Sequence, residues 1–184
     1  NIPQAHFIET KVNEAFNEKE LTSVLKSYAT NFVIIESDKK NNYLNITNIL
    51  LPKLADYDIQ LVVLEPSLIP GKKEVSNMRY KLLRLTYPTV VPISFPYANI
   101  KFSKTFKQKY GTDPTAYAKY GFDITFDTLL RVAQTDGFVS SAKRDITSYL
   151  NGKIEYKRDR LGGYTNDGIY IMQYDPEKGL TVIN

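Results

Sequence analysis

Residues 31–65 read NFVIIESDKKNNYLNITNILLPKLADYDIQLVVLE, and this stretch indicates an α/β fold. Phe32–Ile35 is a continuous β-branched and aromatic run, which predicts a strand covered on both faces. Ile59–Leu64 is a second such run. Between the two runs, apolar residues recur at helical spacing, at Ile46, Ile49, Leu50 and Leu54. A strand–helix–strand unit of this length predicts two parallel strands joined by a right-handed crossover.

The alternation of strands and helices continues on both sides of this unit. A strand signal at His6–Val12 precedes a capping box at Asn17–Glu20 and an amphipathic helix. Downstream, a helix that begins near Val75 precedes a third apolar run at Val90–Phe95. We therefore predict a mainly parallel sheet that contains the three apolar runs, with helices on both faces.

The second half of the chain begins with helices and ends in short strands. Asp113 followed by Pro114 is a start signal for a long helix. This helix carries one apolar stripe, made of Phe122, Phe126, Leu129, Leu130 and Ala133. A further helix is predicted from Val139 to Tyr149. Short antiparallel strands are predicted for the tail, at Lys153–Lys157, Gly168–Tyr174 and Leu180–Ile183.

Composition excludes several kinds of chemistry. The 184 residues include no cysteine and one histidine, His6, so disulfides, thiolate zinc sites and multi-histidine metal sites are excluded. Gly71-Lys72 lacks the flanking residues of a phosphate-binding loop, and no EF-hand spacing occurs. We predict neither a metal nor a cofactor. No apolar run approaches the length of a membrane helix, so we predict no membrane insertion.

Two charged patterns suggest chemistry but have simpler interpretations. Asp123 and Asp127 are four residues apart and share a helical face, which could serve acid–base catalysis. We interpret them instead as solvent-facing carboxylates beside the apolar stripe. The lysines around Phe102 and Phe106 fall largely opposite these rings on a helix, although the net charge is +4. This pattern indicates a buried and a solvated face, so we predict no nucleic-acid binding.

Residues 102–131 read FSKTFKQKYGTDPTAYAKYGFDITFDTLLR, and they resemble a stretch of the type I periplasmic solute-binding proteins. The matching positions are Phe106, Tyr110, Pro114, Tyr117-Ala118 and Gly121-Phe122-Asp123. Upstream, Leu25–Glu65 resembles that family's helix, its N-x-V-I-I-x-S strand, and the helix and strand behind it. Downstream, Gly162–Gly168 followed by Ile169-Tyr170-Ile171 resembles its closing strands. The likeness is nearest to a branch of Bacteroidetes envelope proteins, in which such a domain follows peptidoglycan-binding LysM repeats.

The resemblance implies a function as well as a fold. It covers the latter half of the family's length, which implies one α/β solute-binding-like domain over residues 1–184 that is a fragment of a longer chain. The implied function is a non-catalytic ligand-binding or sensing module of the periplasm or cell envelope, with an amino acid, a peptide or a muropeptide as ligand. The alternatives are a scaffold domain linked to LysM repeats and an α/β hydrolase-like enzyme that uses carboxylates. A half-length chain also predicts an exposed apolar patch, or a homodimer that covers it.

A ligand site is predicted where the strands of the sheet end. In open α/β sheets the binding crevice lies beyond the carboxyl ends of the parallel strands. The polar and aromatic residues that follow the three predicted strands are Ser37, Asp38, Glu65, Ser67 and Tyr97. Hydroxyls, carboxylates and an aromatic ring suit a small polar ligand. The helix N-termini behind the strands add N–H groups that favour an anionic group on that ligand.

Overall fold

A computed structural model of the chain describes residues 18–71, 73–90, 96–149 and 151–184, with the backbone alone at 96–99. The chain forms two compact units. The first comprises residues 1–87 and 172–181, and the second comprises residues 88–171 and 182–184. The predicted strand at His6–Val12 and the capping asparagine at position 17 lie outside the described residues.

The first unit alternates helices and strands. Its elements are α1 (Glu18–Val24), β1 (Asn31–Ile35), α2 (Lys40–Lys53), β2 (Ile59–Val63), a 3₁₀ helix (Pro66–Leu68), α3 (Asn77–Leu82) and the start of β3 (Thr86–Thr89). Most of β8 (Tyr170–Asp175) and β9 (Gly179–Val182) also belong to it. The five strands form one sheet in the order β1-β2-β3-β8-β9.

The sheet is mainly parallel, as predicted. β1 pairs with β2 in parallel from Asn31 opposite Ile59 to Ile35 opposite Val63. β2 pairs with β3 in parallel, with Val62 opposite Thr86. β8 and β9 complete the sheet as the short C-terminal strands. The predicted α/β class is therefore confirmed.

The third strand does not coincide with the predicted run Val90–Phe95. β3 spans Thr86–Thr89, whereas Val90 lies outside it and residues 91–95 lie outside the described residues. Side-chain amides from both neighbouring strands fix this position, since Gln60 Nε2 and Gln173 Nε2 each donate to Thr86 Oγ1 at 3.0 Å. A preference for β-branched residues cannot reveal such cross-strand pairing.

The core of the first unit lies on one face of the sheet. Its most buried side chains come from β1, β2, α2 and the segment around α3: Ile35, Leu50, Ile59, Leu61, Val63, Leu83 and Leu85. Burial alternates along β1, where Ile35 is buried but Phe32 and Ile34 are exposed. The expectation that Phe32–Ile35 is covered on both faces is therefore wrong. A continuous apolar run does not show whether both faces of its strand are covered.

In its described residues, the second unit contains three helices and two short hairpins. Its elements are α4 (Pro96–Tyr110), α5 (Ala116–Val132), α6 (Gly137–Arg144), β4 (Thr147–Ser148), β5 (Lys153–Ile154), β6 (Tyr156–Arg158) and β7 (Tyr164–Asn166). β4 pairs with β5 and β6 pairs with β7, both antiparallel.

Two helix boundaries in this unit differ from the prediction. Thr115 caps α5, because its Oγ1 accepts a hydrogen bond from Ala118 N at 3.2 Å, whereas Asp113 pairs with Lys107 at 2.9 Å. α6 ends at Arg144 and does not reach Tyr149. Asp145 is extended, and Thr147 turns into β4, where its Oγ1 donates to Asp127 at 2.6 Å. This long-range bond is available only in the folded unit.

Candidate functional site

The carboxyl ends of β1 and β2 lie side by side. Ile35 is opposite Val63 in the parallel register, and Ser37 and Glu65 follow these two residues at equal distance along the chain. Asp38 directly follows Ser37, and Ser67 lies two residues after Glu65, in the 3₁₀ helix. The structure therefore brings four of the five predicted site residues to one edge of the sheet.

Ser37 is held by the first turns of α2. Its Oγ accepts hydrogen bonds from Lys39 N at 3.2 Å and from Asn42 Nδ2 at 2.7 Å. Its carbonyl oxygen accepts a bond from the hydroxyl of Tyr43 at 2.9 Å. A serine hydroxyl has two acceptor positions and one donor. Both acceptor positions are in use, so the O–H of Ser37 is the group that can donate to a ligand.

Glu65 provides a fixed negative charge at the same edge. Its side chain accepts a hydrogen bond from Ser67 N at 3.2 Å and so caps the 3₁₀ helix. Hydrogen bonds from Ser67 lower the pKa of this exposed carboxyl, so it is ionised at neutral pH. The capping bond also fixes the direction of the carboxylate relative to the end of β2.

Tyr43 shows that the two loops share one electrostatic environment. Burial is the largest cause that raises the pKa of its phenol. Three carboxylates, those of Glu65, Glu36 and Asp38, raise the pKa further. These carboxylates come from the ends of both strands, yet all act on one ring. The edge therefore carries negative charge from both loops, next to Lys39 and Lys40 at the start of α2.

Tyr97 belongs to a different part of the chain. Its backbone lies in the first turn of α4, in the second unit, and its side chain is outside the described residues. The predicted convergence of Tyr97 with Ser37 and Glu65 stays a prediction.

A second depression lies at the amino-terminal end of β2. No sequence pattern indicates it. It is lined by Leu54, Ala55, Asp56, Tyr57, Asp58, Ile59, Leu82 and Arg84. Arg84 pairs with Asp58, whose other oxygen accepts a bond from Thr30 Oγ1 at 2.5 Å. The φ angle of Arg84 is 45°, a left-handed conformation that is rare outside glycine. This conformation depends on the turn from α3 into β3, and the type of residue alone does not indicate it.

Asp127 is buried at the centre of a polar network in the second unit. It accepts hydrogen bonds from Arg131 Nε at 2.6 Å, Thr147 Oγ1 at 2.6 Å and the Tyr149 hydroxyl at 2.9 Å. Burial acts to raise its pKa, but these three bonds outweigh burial and the pKa is lowered. The expectation of a solvent-facing carboxylate is therefore wrong. The four-residue spacing from Asp127 to Arg131 was the available signal for this buried ion pair.

Asp123 is also buried, on the same face of α5, but no cation accompanies it. One carboxylate oxygen accepts bonds from Asn151 N at 2.9 Å and Asn151 Nδ2 at 3.0 Å. The other oxygen is buried without a hydrogen-bond partner. Burial raises the pKa of this carboxyl, and the bonds from Asn151 offset only part of the rise. Here too, the expected exposure to solvent is wrong, because the β4–β5 turn covers the carboxylate.

The bonds made by Asp123 and Asp127 give these residues a structural role. Asp127 binds Thr147 and Tyr149, and Asp123 binds Asn151, so the two carboxylates anchor successive parts of the β4–β5 hairpin to α5. Within the described ranges, no group of three or more histidine, cysteine, aspartate or glutamate side chains could hold a metal ion. In this same part of the chain, no helix combines the length and apolarity needed to span a membrane.

This chain is similar to several solved structures. No protein-family model matches the sequence, and no curated protein matches it. An ABC transporter substrate-binding protein from Desulfitobacterium hafniense, in complex with Leu, is 13% identical with a TM-score of 0.44, covering 93% of this chain and 50% of that one. A second structure described as such a protein from the same organism is 14% identical with a TM-score of 0.43, covering 94% of this chain and 50% of its own.

A leucine-binding protein from Thermotoga maritima is 14% identical to this chain, with a TM-score of 0.31. The alignment covers 84% of this chain and 43% of that protein. The chain therefore spans about half the length, or less, of the solved structures to which it is similar.

Proposed function

We propose that this chain is a non-catalytic module that binds a small polar solute at the carboxyl-terminal edge of β1 and β2. The observation that carries the proposal is the parallel register that brings Ser37 and Glu65 to one edge of the sheet. Ligands of open α/β sheets bind at such an edge, because the loops there can vary while the strands hold them in place. The sequence resemblance to type I periplasmic solute-binding proteins supports the same function.

The charges at this edge define the class of ligand. The three carboxylates around Tyr43 attract an ammonium group, and the O–H of Ser37 can donate to a carbonyl or carboxylate oxygen. α2 begins beside Ser37 without a side-chain cap from Lys39, and a helix N-terminus favours an anionic group. A zwitterion meets all three preferences. We therefore propose an amino acid, a short peptide or a muropeptide with a free amino group as the ligand.

The proposed location is the periplasm or cell envelope, as part of a longer protein that carries LysM repeats. The resemblance in the sequence supports this location. The buried carboxylates support a role in binding or sensing, because Asp123 and Asp127 form structural hydrogen bonds instead of facing an open cleft.

A thermal-shift screen tests the proposed ligand class. It contains amino acids, including leucine, together with short peptides and muropeptides, each paired with its N-acetylated counterpart. We expect stabilisation by at least one free amine and a clear loss of stabilisation on acetylation, because acetylation removes the positive charge.

Variants then locate the site. We expect Ser37→Ala and Glu65→Gln each to weaken binding about tenfold or more, the loss of one charge-assisted hydrogen bond. The melting temperature of the free protein should fall by about 2–4 °C in each variant, because each substitution also removes or weakens hydrogen bonds worth about 1 kcal/mol at the start of a helix. Glu177→Gln, at an exposed position in the β8–β9 turn, is the matched control and should bind normally. The proposal is refuted if no compound stabilises the protein, or if both site variants bind as tightly as the original chain.

A further inference from the structure

The polarity of α5 is the reverse of that of an ordinary surface helix. Its charged residues Asp123, Asp127 and Arg131 are 4%, 1% and 1% exposed. Its apolar residues Phe122, Phe126, Leu129 and Leu130 are 45%, 43%, 62% and 47% exposed. A surface helix normally presents its charges to water and its apolar stripe to the core. In the described part of the chain, the apolar stripe of α5 is therefore left exposed.

The exposed surface of this helix carries no charge along most of its length. From Gly121 to Gln134 the only ionisable residues are Asp123, Asp127 and Arg131, and all three are buried. Single exposed apolar side chains are common in proteins. A contiguous apolar surface without charges is not, and it marks a contact with another molecule.

Aromatic rings extend this surface from α5 onto α4. The rings of Phe102 and Phe122 lie 4.8 Å apart between centroids, and those of Phe102 and Phe106 lie 5.9 Å apart. Ile100 and Tyr110, near the two ends of α4, are both exposed. Two neighbouring helices therefore share one apolar layer, which we call the α4–α5 layer: Ile100, Phe102, Phe106, Tyr110, Phe122, Phe126, Leu129 and Leu130.

We propose that the α4–α5 layer is the contact surface between two copies of this chain. A two-fold contact requires a surface that is complementary to itself. The α5 part of the layer meets this requirement, because it exposes no charge from Gly121 to Gln134 that would repel the same charge on a second copy. Phe122, Phe126, Leu129 and Ala133 are spaced by four, three and four residues, which is the spacing of the seam between two paired helices. The proposal goes beyond the ligand site and does not rest on it.

The area of the layer fits a small dimer interface. A phenylalanine offers about 150–250 Å² for burial, so Phe122 and Phe126 at nearly half exposure each retain about 100 Å². With the leucines and the residues of α4, each copy presents several hundred Å². A standard interface buries about 800 Å² per partner. The layer therefore supplies the apolar centre of an interface that adjoining residues would complete.

Light scattering on the chain across a dilution series tests the proposal. We expect a mass of twice 21.1 kDa at high concentration and dissociation on dilution. Leu129→Glu, at a position that is exposed in the single copy, should weaken association at least about tenfold, because each contact would bury two carboxylates. Leu161→Glu is the matched control: Leu161 is 98% exposed in the β6–β7 turn, and its substitution should leave the doubled mass unchanged.

A cross-linking experiment keeps the test decisive if Leu129→Glu does not fold. The chain contains no cysteine, so Leu129→Cys and Leu161→Cys each carry a unique thiol. A short bis-maleimide should join two copies through position 129 and not through position 161. The proposal is overturned if the original chain keeps a mass of 21.1 kDa at every concentration. A mass that grows without reaching a plateau overturns it as well, and so does a dimer that Leu129→Glu leaves unaffected or that does not cross-link through position 129.

Discussion

Asp127→Asn is expected to destabilise the second unit, because it leaves a buried guanidinium without its main counter-charge. Arg131 is almost completely buried, and an arginine cannot give up its proton in a protein. Its Nε donates to Asp127 at 2.6 Å, and its other nitrogens donate to oxygens of Ser141, Asp145 and Thr147. An asparagine can place its oxygen toward Arg131 or toward Thr147 and Tyr149, but not toward both. With its oxygen toward Arg131, the amide faces two hydroxyls that must change from donating to accepting; with its oxygen toward the hydroxyls, the N–H groups face a guanidinium that has no acceptor.

The expected loss follows from the environment of Arg131. Breaking one side of a buried ion pair costs about 3–5 kcal/mol. The carboxylate of Asp145 contacts Arg144, but it also lies close enough to Arg131 for that arginine to lower its pKa. This remaining negative charge places the expected loss near the lower limit, at about 3 kcal/mol. For a chain of this size, such a loss corresponds to about 6–12 °C in the melting temperature.

Urea unfolding followed by circular dichroism measures the change in the free energy of unfolding. Hydrogen exchange of peptides from α5 shows whether the loss lies in the second unit. Asp123→Asn is the matched control, because it makes the same substitution on the same buried face at a residue with no cation. We expect this control to change stability by less than about 1 kcal/mol. Equal losses in the two variants, or a loss below about 1 kcal/mol for Asp127→Asn, would refute the reasoning.

Three further predictions concern Asp123, Gly168 and Gly121. Burial raises the pKa of Asp123 in the folded chain above its value of about 3.9 in the unfolded chain. The protonated carboxyl therefore stabilises the fold fully below a pH of about 3.9, and this stabilisation is lost as the pH rises through the pKa of the folded chain. Asp123→Asn should therefore gain stability relative to the original chain as the pH rises from about 4 toward neutrality, and parallel curves would contradict this. Gly168→Ala should cost about 3 kcal/mol in urea unfolding, because a Cβ there would lie 2.7 Å from the carbonyl carbon of Lys153. Gly121→Ala, with open space around it in α5, should instead stabilise the chain by about 0.5–1 kcal/mol.

The shared edge of Ser37 and Glu65 could be predicted from the sequence, but the electrostatics of that edge could not. Ser37 and Glu65 could be placed at one edge, because residues that follow parallel strands come out on the same side of the sheet. The influence of Glu36, Asp38 and Glu65 on the single phenol of Tyr43 depends on the packing of α2 against both strands. The spacing of these residues in the sequence does not give the distances between the carboxylates and the phenol.

The amino-acid sequence determined by itself which segments form β1, α2 and β2 and which residues of α5 share a face, because both follow from the local periods of strand and helix. Tertiary structure alone decided which face of α5 is buried. Hydrophobic spacing predicts a buried apolar stripe, yet Arg131 binds Ser141, Asp145 and Thr147, which lie 10 to 16 residues further along the chain. These partners satisfy the buried charge and hold the polar face inside. The apolar face is left exposed, because the energy of burial depends on contacts that the local sequence does not specify.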